Sequence, residues 1–290
     1  MNHFAVPLPL SREPWRPAPL IQFSLALHVA TLALIVFSPS LWLWGVAVVL
    51  FDHILLFASS MWPRSSLLGN NLVRLPPAAI QRREVTLTFD DGPDPTVTPQ
   101  VLHILAKHQV HGTFFCIGEK AAAYPDLCRA IVAQGHTIEN HGQRHRHHTA
   151  LSGFRGWKRE IGDAQETLEQ ITGRRPQFFR PLAGLRNPFL DPVLYRLGIR
   201  LATWTRRGYD TRCDNAEIVL ARLTKNLAAG DILLLHDGHS ARNKQDTPVI
   251  LELLPQLLAH LAVCNLHPVP LSASTGFDNP PKKPAQHEQP

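Results

Sequence analysis

The stretch VTLTFDDGPDP, residues 85–95, ends an apolar alternation in two adjacent carboxylates, Asp90 and Asp91, followed by a Gly-Pro break. Further along, NHGQRHRHH at 140–148 places His141 and His145 four residues apart, and ILLLHDG sets His236 beside Asp237. Two neutral imidazoles and one carboxylate leave a coordination position open, the pattern of a catalytic rather than a structural zinc. Such an ion lowers the pKa of a bound water to about 7, and a second carboxylate can then take the proton. Adjacent side chains on a strand point to opposite faces, so Asp90 and Asp91 can have separate jobs, one holding the metal and the other acting as base. His236 on the far side can protonate a leaving group. Metal, base and acid together suit the hydrolysis of an amide or ester. The H-x-x-x-H spacing alone is weak, since four histidines within 141–148 also describe a solvated loop. His147 and His148 read as surface or supporting residues.

These groups need a scaffold that brings them together. Short apolar runs, VTLTF, GTFFC, HTIEN, FFR, RLATW, DILLL and HPVPL, alternate with helical stretches near 98–109, 120–134, 155–172, 215–229 and 246–263. About seven strands alternating with helices predict a parallel α/β architecture, a barrel or a doubly wound sheet. On this map Asp90 and Asp91 follow the first strand, His141 and His145 the third, Arg180 the fourth, Trp204 the fifth, and His236 the sixth. All lie at C-terminal strand ends, and in a parallel barrel those ends share the face on which active sites are built.

The N-terminal part is different. LIQFSLALHVATLALIVF at 20–37 has no Asp, Glu, Lys or Arg, and LWLWGVAVVLFDHILLFASSMW at 41–62 is broken only by Asp52 and His53. Each is near the roughly 20 residues that span hydrocarbon. Only Ser38, Pro39 and Ser40 separate them, so they predict a transmembrane helical hairpin. A cleaved signal peptide fits less well, because the first run is long and a second follows at once. Asp52 is costly inside such a span; it is protonated, paired with His53, or the hairpin is re-entrant. Arg12 and Arg16 precede the hairpin and Arg64, Arg74, Arg82 and Arg83 follow it, which by the positive-inside tendency places both ends, and the rest of the chain, on the cytoplasmic side of a bacterial inner membrane. The expected organisation is a tail (1–19), two membrane helices (20–62), a juxtamembrane linker (63–83), a catalytic domain (84–272) and a Pro-rich disordered tail (273–290).

A net charge of +6 raises the question of nucleic acid, but no basic stripe interleaved with aromatics is present, and membrane lipids are the expected anionic partner. Cys116, Cys128, Cys213 and Cys264 form no C-x-x-C pair, which argues against a zinc ribbon or thioredoxin motif. An even number leaves disulfides possible; free, partly buried thiols are the expectation in a domain of this size.

The motifs TFDDGP, HGTFFCIG, NHGQRH, RPLAG and LLLHD, in this order over about residues 84–270, resemble the polysaccharide deacetylase family, carbohydrate esterase family 4. The resemblance implies a distorted (β/α) barrel, a metal that is usually zinc, and removal of an N-acetyl or N-formyl group from an amino sugar. By position it implies Asp90 as general base, Asp91, His141 and His145 as metal ligands, Arg180 as holder of the base and His236 as general acid. Ala183 would offer the oxyanion its backbone N–H, and Trp204, Arg207 and Asp210 would line the substrate side.

Three departures stand out. Gly142 replaces a hydroxyl residue, Leu182-Ala183 replaces an aromatic sugar-facing wall, and Arg207 replaces one of two acids after Trp204. Arg207 would tend to lower the pKa of His236, and Arg206 and Arg207 can instead face an anionic group on the substrate. Three functions follow: a deacetylase acting on a lipid-linked amino sugar at the cytoplasmic face, a deacetylase of cell-wall glycan outside, or a non-catalytic carbohydrate- or metal-binding protein, which would be expected to lack the acid or the base.

Overall fold

A computed structural model describes residues 14–275. Helices α1 (Pro19–Phe37) and α2 (Trp42–Met61) are joined by a 3-10 turn at Pro39–Leu41, and both are long and apolar enough to cross a membrane. They pack inside out relative to a water-soluble pair. Ser24 and Thr31 of α1 and Gly45, Asp52 and Ser59 of α2 are buried, while Phe23, Val29, Leu32, Phe51 and Phe57 are exposed. Small residues allow close backbone approach: a Cβ on Gly45 would stand 2.6 Å from Ile35 Cδ1.

Asp52 does not pair with His53. Its Oδ2 accepts the Ser24 hydroxyl at 2.6 Å, with His28 Nδ1 at 3.8 Å, while His53 donates to the Val49 carbonyl and lies exposed. Successive helix residues do not share a face: Asp52 is buried against α1, while His53 stays exposed at the edge of that contact, its ring 5.2 Å from that of His28.

The expected linker is part of the folded domain. Leu68, Leu75 and Ala79 are buried, Leu72 bridges to Ala202, and Pro77–Gln81 forms a short helix, α3. Isolated apolar anchors at irregular spacing hold this segment down, and periodicity could not reveal them.

Beyond it the chain alternates strand and helix: β1 (Glu84–Gly92), α4 (Thr98–Lys107), β2 (Thr113–Cys116), α5 (Gly118–Ala123), α6 (Pro125–Ala133), β3 (Thr137–Asn140), α7 (Phe154–Thr172), β4 (Phe178–Phe179), α8 (Leu190–Leu197), β5 (Arg200–Leu201), β6 (Arg206–Arg207), α9 (Ala216–Thr224), β7 (Ile232–His236), α10 (Val249–Val263), β8 (His267–Pro268) and α11 (Leu271–Thr275). Pro125 splits the expected 120–134 helix into α5 and α6. Neighbouring strands run in the order β5-β4-β3-β2-β1-β7-β6 and pair in parallel, with β8 beside the start of β1. The two ends of this path, β5 and β6, are consecutive in the chain, so the sheet curls into an incomplete barrel. β6 is a strand beyond those expected.

Alternation divides the strands between two cores. Val85, Leu87, Phe89, Phe114, Cys116, Leu233 and Leu235 pack outward against α4, α9 and α10. Phe115, Phe178, Trp204, Ile232 and Leu234 fill the inside of the curl with Leu75 and Ala79 of the supposed linker. At the other end, Leu271, Ser272 and Ser274 of α11 are buried, so the folded domain reaches 275 rather than 272. The expected tails at 1–13 and 276–290 lie outside the described residues. Among the described residues all four cysteines are free, as expected, with Cys116 and Cys128 buried.

Candidate active site

The β1 end answers why two acids stand side by side. Asp90 pairs with Phe115 and Gly92 with Cys116, so Asp91 is an extra residue in the ladder, with φ 69°. A bulge re-aims a side chain, and here it turns both carboxylates toward His141: its Nε2 lies 3.2 Å from Asp91 Oδ1 and 3.8 Å from Asp90 Oδ2. Gly92 and Gly238 allow β1 and β7 to close at this point, since a Cβ on Gly92 would meet the Asp237 carboxylate at 2.3 Å. Asp237 is buried beside the Thr98 hydroxyl at 2.5 Å, and burial pushes it up to about 7.

His141 and His145 converge without a helix. The loop after β3 turns through Gly142 (φ 86°) and His145 (φ 55°), bringing the two rings to 4.4 Å. A side chain at 142 would place its Cβ 2.8 Å from Glu160 Oε1, so the departure at Gly142 follows from this loop's own geometry. Glu160 of α7 accepts the amides of Arg144 and His145 through that same oxygen, and Asn140 Oδ1 accepts the Gly142 amide. Non-glycine residues at positive φ are uncommon, and Asp91 and His145 both adopt it. The surrounding hydrogen bonds hold them there.

Asp91 Oδ1 lies 3.1 Å from His145 Nε2 and 3.2 Å from His141 Nε2. Asp91 Oδ1 and His145 Nε2 are buried with no hydrogen-bond partner among the described residues. His141 donates Nδ1–H to the Arg180 carbonyl at 2.7 Å, which leaves Nε2 as the lone-pair atom facing Asp91. Burial opposes ionisation of Asp91, but the imidazoles of His141, His239 and His145 gathered around it outweigh burial and hold the carboxyl far below its usual range. Burial and the neighbouring His141 push His145 down to about 3. An ionised carboxylate between two convergent nitrogens fits a divalent cation, and the ligand atoms of these three residues lie within 4.8 Å of one another.

Asp90 is held differently. Arg180 is fully buried and donates to Asp90 Oδ1 at 2.7 Å, to the Thr88 hydroxyl at 2.8 Å, and to the carbonyls of Ala202 and Thr203. Its guanidinium lies 4.0 Å above the Phe115 ring. Four hydrogen bonds and a stacked face fix this cation, and through it the carboxylate.

Across the site, His236 Nδ1–H donates to Asp210 at 2.8 Å, and Asp210's other oxygen accepts the His236 amide at 2.7 Å. Burial works against charging the imidazole, but Asp210 outweighs it and pushes His236 up to about 9. Two expectations change. Asp210 is fully buried and spends both oxygens on His236, so it positions that imidazole and does not line the open side of the site. Arg207 does not depress His236; it lies over Trp204 at 5.5 Å and Tyr209 at 4.8 Å.

Trp204 is itself buried, with Arg180 at 5.8 Å and Gly184 packed on its ring, so it backs the arginine that holds Asp90. Arg206 is tied to Asp231 at 2.7 Å and to the Lys225 carbonyl, which gives it a structural place away from any substrate. Ala183 sits exposed at the mouth with φ 51°. His147 and His148 are exposed and outside the cluster. Sequence reading missed Glu160, Thr88 and His239, whose Nδ1 is 3.4 Å from Asp91 Oδ2; only His239, three residues after His236, carried a local signal.

A family model described as polysaccharide deacetylase matches residues 79–202. The chain is 33% identical over 175 residues to a peptidoglycan-N-acetylglucosamine deacetylase of Bacillus cereus, covering 60% of this chain and 81% of the relative. It is 36% identical over 155 residues to a chitooligosaccharide deacetylase of Azorhizobium caulinodans, covering 53% and 73%. Among solved structures, a peptidoglycan N-acetylglucosamine deacetylase in complex with a naphthalenyl-N-oxidanyl-benzamide superposes with a TM-score of 0.64 at 25% identity, over 71% of this chain and 92% of that one.

Proposed function

The chain belongs to the polysaccharide deacetylase family, a family of amide-bond hydrolases, and from that premise we propose that it removes an N-acetyl or N-formyl group from an amino sugar, with Asp91, His141 and His145 holding a divalent cation, zinc before others. The observation that carries this reading is the meeting of Asp91 Oδ1 with the Nε2 atoms of both histidines at 3.1 and 3.2 Å, beside a second carboxylate clamped by a buried arginine. When bound, the ion supplies a Lewis acid for the acyl carbonyl and acidifies water.

The protein groups account for the proton traffic. Asp90, fixed by Arg180, takes a proton from the water whose oxygen adds to the acyl carbon. As the carbon–nitrogen bond breaks, the departing nitrogen needs a proton, and His236, kept charged by Asp210, donates it. The Ala183 amide at the mouth is the proposed donor to the oxyanion. Arg207, braced by two aromatic rings, supplies charge for an anionic substrate group. A binding-only protein would be expected to lack the acid or the base, and Asp90 and His236 are both present.

The inside-out hairpin supports membrane anchoring, and the arginines flanking it support a catalytic domain on the cytoplasmic side, where a lipid-phosphate-linked amino sugar is the substrate within reach. The names of the relatives, peptidoglycan and chitooligosaccharide deacetylases, favour a second reading, a glycan substrate outside the membrane. Purified full-length chain in detergent is to be assayed on N-acetylglucosamine oligomers and on a polyprenyl-phosphate N-acyl amino sugar, with mass spectrometry of the freed amine. Faster turnover of the lipid substrate supports the first reading. Turnover of oligomers alone, with a reporter after Pro290 active only outside the cytoplasm, establishes the second.

A further inference from the structure

Both ends of the hairpin meet one loop of the catalytic domain. Before α1, Trp15 donates its indole N–H to Asp191 at 2.8 Å. At the end of α2 and just beyond it, the Ser60 and Ser65 carbonyls accept from the amide and the guanidinium of Arg186, and Pro63 lies against Gly184. Arg64 reaches the Thr205 carbonyl at 3.3 Å. The loop 182–191 therefore stands at the level where the two apolar helices end, flanked by Trp15 and Trp62. Tryptophans occupy this position at the edge of a bilayer.

The same loop forms one side of the catalytic mouth. Leu182 and Leu185 line a cavity with His141, His145, Thr149 and Ala150. Asn187 donates to the carbonyls of Ala150 and Ser152, which pins Leu151 beside it. Leu151 is 85% exposed and Phe189 52% exposed. Both flank Asn187, in the loop that meets the foot of the hairpin. Residues 141–159 contain no acid, and Arg146, Arg155, Lys158 and Arg159 are exposed along them. Large apolar side chains beside a run of cations match the chemistry of an anionic lipid interface.

We propose that this rim, with Leu151 and Phe189 at its tip and Arg146, Arg155, Lys158 and Arg159 around it, is a lipid-contact surface that seats the mouth of the active site against the anionic headgroups of the bilayer holding the hairpin. The inference rests on the anchoring proposed above and deepens it. A sugar carried on a lipid phosphate reaches Asp90 and His236 at the membrane surface.

The test uses the full-length chain with Cys213→Ser and Cys264→Ser, carrying a nitroxide at Leu151→Cys, Phe189→Cys or Val263→Cys. Cys116 and Cys128 are buried away from the label. Val263 is 87% exposed at the end of α10, next to Cys264, whose carbonyl binds Arg83 ahead of β1 and so marks the face opposite the site. The protein is reconstituted in nanodiscs of neutral phospholipid or of a mixture with an anionic one, and label collisions with oxygen and with an aqueous nickel chelate are measured.

The expected result is an oxygen-to-nickel ratio several-fold higher at 151 and 189 than at 263, rising with anionic lipid. Arg146→Glu with Arg155→Glu should cancel that rise. Ratios at 151 and 189 equal to that at 263 would overturn the proposal. The readout needs no turnover, so labels in lipid on a chain that hydrolyses neither substrate overturn the activity and leave the surface standing. Labels in water on an active enzyme overturn the surface alone.

Discussion

The chain buries two carboxylates beside paired histidines, Asp91 with His141 and His145 on the barrel and Asp52 with His28 and His53 in the hairpin, and the two clusters are built differently. Around Asp91, each imidazole presents Nε2 to the carboxylate, and His141 has its other nitrogen anchored on the Arg180 carbonyl. Around Asp52, the nearest imidazole nitrogen is His28 Nδ1 at 3.8 Å, and that nitrogen already donates to the Ser24 carbonyl. The carboxylate takes a serine hydroxyl instead. The barrel cluster also carries backbone at positive φ at Asp91 and His145, held by Glu160, whereas the hairpin cluster sits on regular helix. Residue types alone do not make a site; supported orientation does.

The largest expected effect is on turnover. Asp90→Asn should lower kcat by about 10²–10⁴-fold, while Asp52→Asn, assayed beside it, should leave kcat within a factor of two or so. Next is the buried clamp. Arg180→Met leaves Asp90 buried without its cation, and chemical denaturation should show a loss of about 3–5 kcal/mol; a smaller loss than for Ser24→Ala would show that the barrel pair is not a tighter construction than the hairpin.

Third is pH. Asp210 raises His236 to about 9 in the folded chain, above the ordinary histidine value of about 6.5. This interaction therefore stabilises the fold fully below about 6.5 and is lost as pH rises through about 9. Turnover that needs the charged imidazole should fall across the same upper limit. Asp210→Asn should move the alkaline fall in kcat toward neutrality, and an unmoved limb would assign the acid elsewhere. The smallest effect belongs to the hairpin: Ser24→Ala should cost about 0.6 kcal/mol of helix association, measured by unfolding in mixed micelles.

Much of the barrel could be read from alternation. VTLTF becomes β1 because Val85, Leu87 and Phe89 face the outer helices, and DILLL becomes the fully buried β7, with Leu233 and Leu235 outward and Ile232 and Leu234 inside the curl; the chemistry at C-terminal strand ends followed from that map. What escaped had no periodic signal. Arg206 and Arg207 look like solvated surface, yet they pair as β6 beside β7, with Arg206 neutralised by the buried Asp231. Glu160 lies on α7, 15 residues from the His145 amide it accepts, and only the folded loop reveals it. Asp210 looked like a substrate contact because its distance from His236 in sequence hid the bidentate pairing. The placement of Asp90 and Asp91 after the first strand was legible, but the bulge that lets both reach one site was not.

The most direct test of the central claim, that adjacent carboxylates divide the labour, is metal content by atomic emission beside turnover for full-length wild type, Asp91→Ala and Asp90→Asn. One zinc per chain is expected in wild type and Asp90→Asn, none in Asp91→Ala, and turnover only in wild type. Metal retained by Asp91→Ala, or lost equally from Asp90→Asn, would contradict it.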